Sequence, residues 1–80
     1  MSQNIPLTQL HEGQKAQVSM LLSTGNIRRR LQDLGIVAGT SIECVQKGPG
    51  GDPIAYKIRN TIIALRLEDV NTIIVTTKFK

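Results

Sequence analysis

The stretch from Asn26 to Thr40, NIRRRLQDLGIVAGT, sets the terms on which this chain can fold. Ile27, Leu31 and Leu34 recur at i, i+4 and i+7, the spacing of one apolar stripe on an α-helix. Arg28, Arg29, Arg30, Gln32 and Asp33 fill the rest of the circumference, giving the helix a basic face opposite the apolar one. Thr24 is placed to cap its start, and Gly35 to end it in the left-handed conformation. Ile36 to Thr40 reads as a tight reversal into a strand, with Gly39 supplying positive φ. A helix this short does not hold together alone in water. It needs a platform, and the rest of the chain offers strands.

Those strands are short and punctuated by turn chemistry. Lys15 to Leu22 alternates, with Ala16, Val18 and Met20 expected inward and Gln17 and Ser19 outward. Ser41 to Lys47 places Ile42 and Cys44 inward and Glu43 outward. Gly48 to Pro53 is nearly pure loop chemistry, after which Ile54, Tyr56 and Ile58 alternate with Ala55, Lys57 and Arg59. Arg59-Asn60-Thr61 is short enough for a tight hairpin into Ile62 to Arg66, and Thr72 to Thr76 makes the last strand. Pro6 to Gly13 is expected to form one turn capped by Thr8, with Leu7 and Leu10 inward, and Leu67 to Val70 another. Lys78-Phe79-Lys80 reads as a fraying basic tail. The pattern predicts a mainly β fold: a small SH3-like antiparallel barrel of about five strands with one helix inserted after the first. The 80 residues make a single domain, 1–80, with an ordered core over about residues 6–76.

Ile62-Ile63-Ala64-Leu65 and Ile73-Ile74-Val75 are apolar at consecutive positions, so both faces of those strands call for cover. A barrel interior covers one. The other is expected under the helix, under the Leu7–Leu10 turn, or against a partner. This surplus points to binding.

Chemistry has little to work with. The chain has one Cys and one His. Cys44 falls at an inward strand position, where a thiol behaves as a small hydrophobe, and His11 lies in an early turn beside Glu12. No nucleophile–base pair shares a segment, and the glycines of Gly48–Gly51 neither open a helix nor precede Lys-Ser/Thr. A transition-metal site wants roughly three or four Cys, His or carboxylate ligands, and His11 and Cys44 stand far apart and unaccompanied. The expectation is no enzyme, no cofactor and no metal site. The unpaired thiol suits a reducing compartment, no apolar run approaches the ~18 residues of a membrane span, and MSQNIPLTQL lacks the features of a signal peptide. These features predict a cytoplasmic protein that does not insert in membranes. The net charge of +4 favours acidic partners. Nucleic acid is not the expected partner, because stacking platforms would have to come from Phe79 and an inward-facing Tyr56.

Taken in order, Leu7, Leu10, Gly13, Ala16 and Val18, then Arg30-Leu31-x-x-Leu34-Gly35, Gly39-Thr40, Gly51-Asp52-Pro53-Ile54, Ala64-Leu65-Arg66 and Ile73-x-Val75 form a pattern. From Leu7 to Val75 it resembles ferrous iron transport protein A, the FeoA family. Asn60 stands where that family often has Gly, and Val70 where it often has Ala. The resemblance implies a small cytosolic regulatory or adaptor protein of ferrous iron uptake. It would bind the cytoplasmic GTPase-containing part of FeoB, the membrane iron permease, without carrying iron itself. Under that reading Leu34, Ile36 and Val37 would present the docking surface, and Arg29, Arg30 and Arg66 would steer an acidic partner. A small basic nucleic-acid-binding barrel and a direct ferrous-iron carrier are the alternatives. Oligomeric state is left open.

Overall fold

The structure, a computed structural model, describes residues 2–78. Its strands are β1 (Ser2–Pro6), β2 (Lys15–Leu21), β3 (Ser41–Lys47), β4 (Ile54–Ile58), β5 (Thr61–Leu65) and β6 (Ile73–Lys78). They form one antiparallel sheet in the order β1-β6-β2-β3-β4-β5. The helix α1 (Gly25–Asp33) joins β2 to β3, and one helical turn, α2 (Leu67–Val70), joins β5 to β6. Single 3-10 turns occupy Leu7–Gln9 and Pro49–Gly51. The mainly β, SH3-like expectation is what the chain adopts, with β1 and β5 left as unjoined edges of the sheet.

The strand that sequence reading passed over is β1. Ser-Gln-Asn-Ile-Pro shows no alternation, so its place comes from pairing with β6, from Ser2↔Lys78 to Pro6↔Ile74. The helix accordingly follows the second strand. Of the C-terminal tail, Phe79 and Lys80 lie outside the described residues.

Inward residues from every strand but β1, together with Leu7, Leu10, Leu31, Ile36 and Val70, make one continuous core. Tyr56 and Cys44 sit at its centre, fully buried as their inward strand positions predict. Met20 does not join them. In β2 an extra residue, Ser19, stands between the pairs Val18↔Val75 and Met20↔Ile74, a β-bulge that reverses the facing of Met20 and Leu21. Leu21 takes the inward place opposite the buried Ile73, and Met20 turns out with 49% of its surface exposed. A second irregularity, at Val45, bends β3 against β4.

The helix ends in a Schellman arrangement. Gly35, at φ +95°, donates its N–H to Gln32 (2.9 Å), and Ile36 donates to Leu31 (3.0 Å). This geometry packs the residue after the glycine onto the last turn, so Ile36 and Leu31 are both fully buried. At the other end Thr24 has the extended backbone of a cap, but its hydroxyl makes no capping hydrogen bond. Nor does Thr8 cap the first turn, where Pro6 holds the cap position. The apolar stripe is buried only at its middle: Leu31 is covered, whereas Ile27 and Leu34 stay partly exposed. The sheet beneath a helix this narrow meets one turn of it, and the two flanking residues overhang.

Candidate docking surface

Among the described residues, five of the seven large apolar side chains left exposed (Met20, Leu22, Ile27, Leu34 and Val37) lie on α1 or on the segments entering and leaving it. That clustering surrounds α1 with apolar side chains, and Met20 and Val37 among them line one depression. The local structure explains each member. The bulge in β2 ejects Met20, and α1 is too short to cover the ends of its own stripe. The turn after Gly35 puts Ile36 inward and Val37 outward.

The reversal that carries Val37 is rigidly tied to the sheet. Thr40 donates through its backbone N–H to Val37 O (3.0 Å) and through Oγ1 to Gly35 O (3.0 Å). Gly39, at φ +92°, donates to Val18 O, and Val18 donates to Thr40 O, each at 2.8 Å. Val37 and Ala38 thus form a fixed ridge between two shallow depressions. One is lined by Ser19, Met20, Leu21, Arg28 and Gln32, the other by Gly39, Thr40, Ser41 and Arg59.

Of the residues assigned from sequence, Leu34 (38% exposed) and Val37 (36%) are available at this surface. Ile36 is not, because the Schellman turn commits it to the core, and it supports the surface only from beneath. Arg29 is exposed on the turn of α1 facing away from the buried Leu31. Arg30 turns aside to pair with the buried Asp69 of α2, so part of its charge is spent within the chain. Arg66 is exposed but belongs to a different depression, shared with Asp52, Pro53 and Ala64.

Two cations were missed. Arg28 donates to Leu21 O (3.1 Å), which fixes it on the rim beside Met20 and Val37. Arg59 stands at φ +50° in the β4–β5 turn and lays its guanidinium along Gly35, where an added Cβ would meet Nε at 3.7 Å. There it faces the carbonyl end of α1, the end that attracts cations. The Arg-Arg-Arg run holds a signal for Arg28, but Arg59 depends on a turn conformation that an arginine rarely adopts.

Among the described residues, no group of three or more His, Cys, Asp or Glu side chains converges as a metal site would require. His11 is exposed, and Cys44 is buried with its thiol pushed up by loss of solvation. Among the described residues no helix is long and apolar enough to cross a membrane. The arrangement is a polar-rimmed apolar surface on a tightly tied scaffold.

The FeoA domain family matches residues 5–77, nearly the whole chain. The chain belongs to the FeoA family. Its sequence is 36% identical over 63 residues to a fusion of Fe(2+) transport protein A with the Fe(2+) transporter FeoB from Porphyromonas gingivalis. That match takes in 79% of this chain but spans 8% of the fusion protein. Among solved structures, an FeoA-like protein from Clostridium acetobutylicum superposes with a TM-score of 0.84 at 35% identity, covering 94% of this chain and 87% of that one. FeoA from Stenotrophomonas maltophilia, solved in complex with zinc and described as a prokaryotic SH3 domain protein, superposes at 0.80 with 29% identity, covering 92% and 96%. Membership in the FeoA family associates the chain with ferrous iron transport.

Proposed function

We propose that this FeoA-family chain is a non-enzymatic cytoplasmic adaptor that docks on the cytosolic, GTPase-containing part of a FeoB-type iron permease. The observation that carries the reading is the P. gingivalis relative, in which a similar domain is fused to the FeoB transporter. Domains joined in one chain in one organism are natural binding partners when they occur apart, because the fusion supplies the effective concentration that a separate interface must otherwise provide.

The surface around α1 is suited to that docking. Met20, Leu34 and Val37 supply apolar area, while Arg28 lies beside Met20 and Val37 and Arg29 is a further exposed cation on the same helix. Such a patch gains affinity from desolvation at its centre and association rate from charge at its rim. Arg66 provides a second cationic point outside the patch.

Calorimetric titration of this chain with the purified cytosolic domain of the permease tests the reading. Saturable binding that weakens with added salt is expected. Absence of heat together with absence of co-elution at low salt would refute it. The nucleic-acid reading has less support, since Tyr56 is fully buried and offers no stacking face.

A further inference from the structure

The β4–β5 hairpin closes on the pair Ile58↔Thr61, with Arg59 (φ +50°) and Asn60 (φ +67°) between them. In a two-residue hairpin the closing pair exchanges both backbone hydrogen bonds, and hydrogen-bonded pairs then recur at every second position. Thr61, Ile63 and Leu65 therefore turn their backbone groups toward β4, opposite Ile58, Tyr56 and Ile54. The N–H and C=O groups of Ile62 and Ala64 point out from the edge of the sheet. No hydrogen bond from any described residue meets them.

Proteins ordinarily blunt such an edge with a charge, a proline or a bulge. The opposite edge, β1, ends in Pro6. By contrast β5 reads Thr-Ile-Ile-Ala-Leu, with no charge or proline, and its ladder to β4 runs without a register shift. Ile62 is 56% exposed, and Ala64 is exposed beside it on the same face. The strand is flat, apolar and open.

The charges around it choose the occupant. Lys57 stands opposite Ile62, Arg59 occupies the turn, and Arg66 follows the strand directly. Against them stand Asp52, whose Oδ1 already accepts the Leu67 N–H at 3.0 Å, and Glu43, one strand further in. A second copy of the chain added about a two-fold axis at Ile63 would satisfy all four free groups, but it would set Arg66 of one copy opposite Asn60 and beside Arg59 of the other. Cations would meet cations at both ends. An acidic strand meets no such penalty.

We propose that β5 is a strand-addition site for an extended, acidic segment of a partner protein, one that alternates carboxylate and apolar side chains. Its backbone would pair with Ile62 and Ala64. Its carboxylates would lie on the face of Ile62, with Lys57 and Arg66, and its apolar side chains on the opposite face beside the half-buried Ile63. This edge shares Arg59 with the depression beside Val37, but the pairing at Ile62 and Ala64 does not depend on what docks at α1.

The test is amide hydrogen exchange by NMR on the isotopically labelled chain, with a synthetic peptide of alternating glutamate and valine and a control of alternating lysine and valine. With the acidic peptide in excess, the Ile62 and Ala64 amides should exchange about tenfold more slowly, and the control should leave them unchanged. Ala64→Pro removes one outward N–H and should abolish the protection. Should that variant fail to fold, Lys57→Glu combined with Arg66→Glu, both exposed positions, should reverse the preference between the two peptides. No protection with the acidic peptide, equal protection by both, or protection mapping to α1 overturns the proposal. So does protection that rises with protein concentration alone, which would assign the edge to a second copy.

Discussion

The guanidinium of Arg30 donates a hydrogen bond to Oδ2 of Asp69, joining α1 to the α2 turn 39 residues further along the chain. Among the described residues it is the one ion pair. Its two ends differ: 60% of the Arg30 side chain is exposed, against 5% of that of Asp69. Solvent screening lowers what the attraction contributes, but removing the arginine leaves a carboxylate buried without its partner. Arg30→Gln should therefore lower stability by about 1–2 kcal/mol, and adding Asp69→Asn should recover part of the loss. Urea denaturation of the two single variants and the double variant measures the coupling. Strict additivity would mean that the pair contributes nothing to the folded state.

Two groups at the centre of the core set the response to alkali. Burial pushes the Cys44 thiol above its ordinary 9.0, and the nearby Glu12 adds to this while Lys47 opposes it. Burial also pushes the Tyr56 hydroxyl well above its ordinary 10.0, with Cys44 beside it adding to the rise. A raised pKa in the folded state means the folded chain keeps its proton where the unfolded chain has lost it. The stabilisation is complete below the unfolded values and disappears as pH rises through the folded ones. Stability should thus be level around neutral pH and fall above about pH 9. Urea midpoints followed from neutral pH upward should show the fall, and Cys44→Ala should delay its onset relative to the change measured at neutral pH.

Tyr56 also carries a buried oxygen with no hydrogen-bond partner among the described residues. Its ring fills the core between β4 and its neighbours, but its hydroxyl is desolvated without return. Tyr56→Phe keeps the ring and discards the oxygen. The variant should match or exceed the parent by up to about 1 kcal/mol, and it should flatten the remaining alkaline fall. A loss of several kcal/mol in a thermal or urea melt would show that the hydroxyl makes an essential bond.

How much of the fold was readable from sequence depended on how local each cause is. The inward set Ile54, Tyr56 and Ile58 follows from plain alternation, because β4 runs without a bulge against β5. Gly35 as the end of α1 follows from the left-handed angle that only a few residues accept cheaply. Met20 was misplaced because a bulge is a property of the β2–β6 pairing, and Ser19 looks like any other outward residue. Ser2–Pro6 became a strand for the same kind of reason, its partner lying at the other end of the chain. On the candidate docking surface, Leu34 follows from helix spacing, whereas Val37 lies beyond the helix and was named only with the family resemblance. Ile36 could not be told apart from them without the Schellman geometry that buries it.

The Gly48–Pro53 connection has one position where size alone decides. Gly48 donates its N–H to Pro53 O at 2.9 Å, and a Cβ on Gly48 would stand 2.8 Å from that same oxygen. The obstacle is backbone and cannot swing away. Gly48→Ala should cost about 1–3 kcal/mol by forcing the loop open and lengthening that hydrogen bond. Gly13→Ala makes an informative companion: its Cβ would meet nothing within 4 Å, and the cost there is the strain of φ +89°. Amide exchange should place the Gly48 effect at the β3–β4 loop. A Gly48→Ala variant as stable as the parent would contradict the close approach.

The α1 surface makes the sharpest functional prediction, because its charge and its apolar area can be changed separately. Arg29 is exposed and its side chain makes no hydrogen bond with a described residue, so Arg29→Glu alters charge without disturbing the fold. It should slow association with the cytosolic domain of the permease about tenfold at low salt, and the difference should shrink as salt is added. Val37→Asp puts a carboxylate on the rigid ridge between the two depressions. It should speed dissociation and weaken binding by more than about tenfold at any salt concentration, since what it removes is buried apolar contact. Thermal melts within a few degrees of the parent would establish that both variants remain folded. If instead Val37→Asp bound as tightly as the parent while Arg66→Glu did not, the interface would lie at the far end of β5 and the α1 surface would have to be given up.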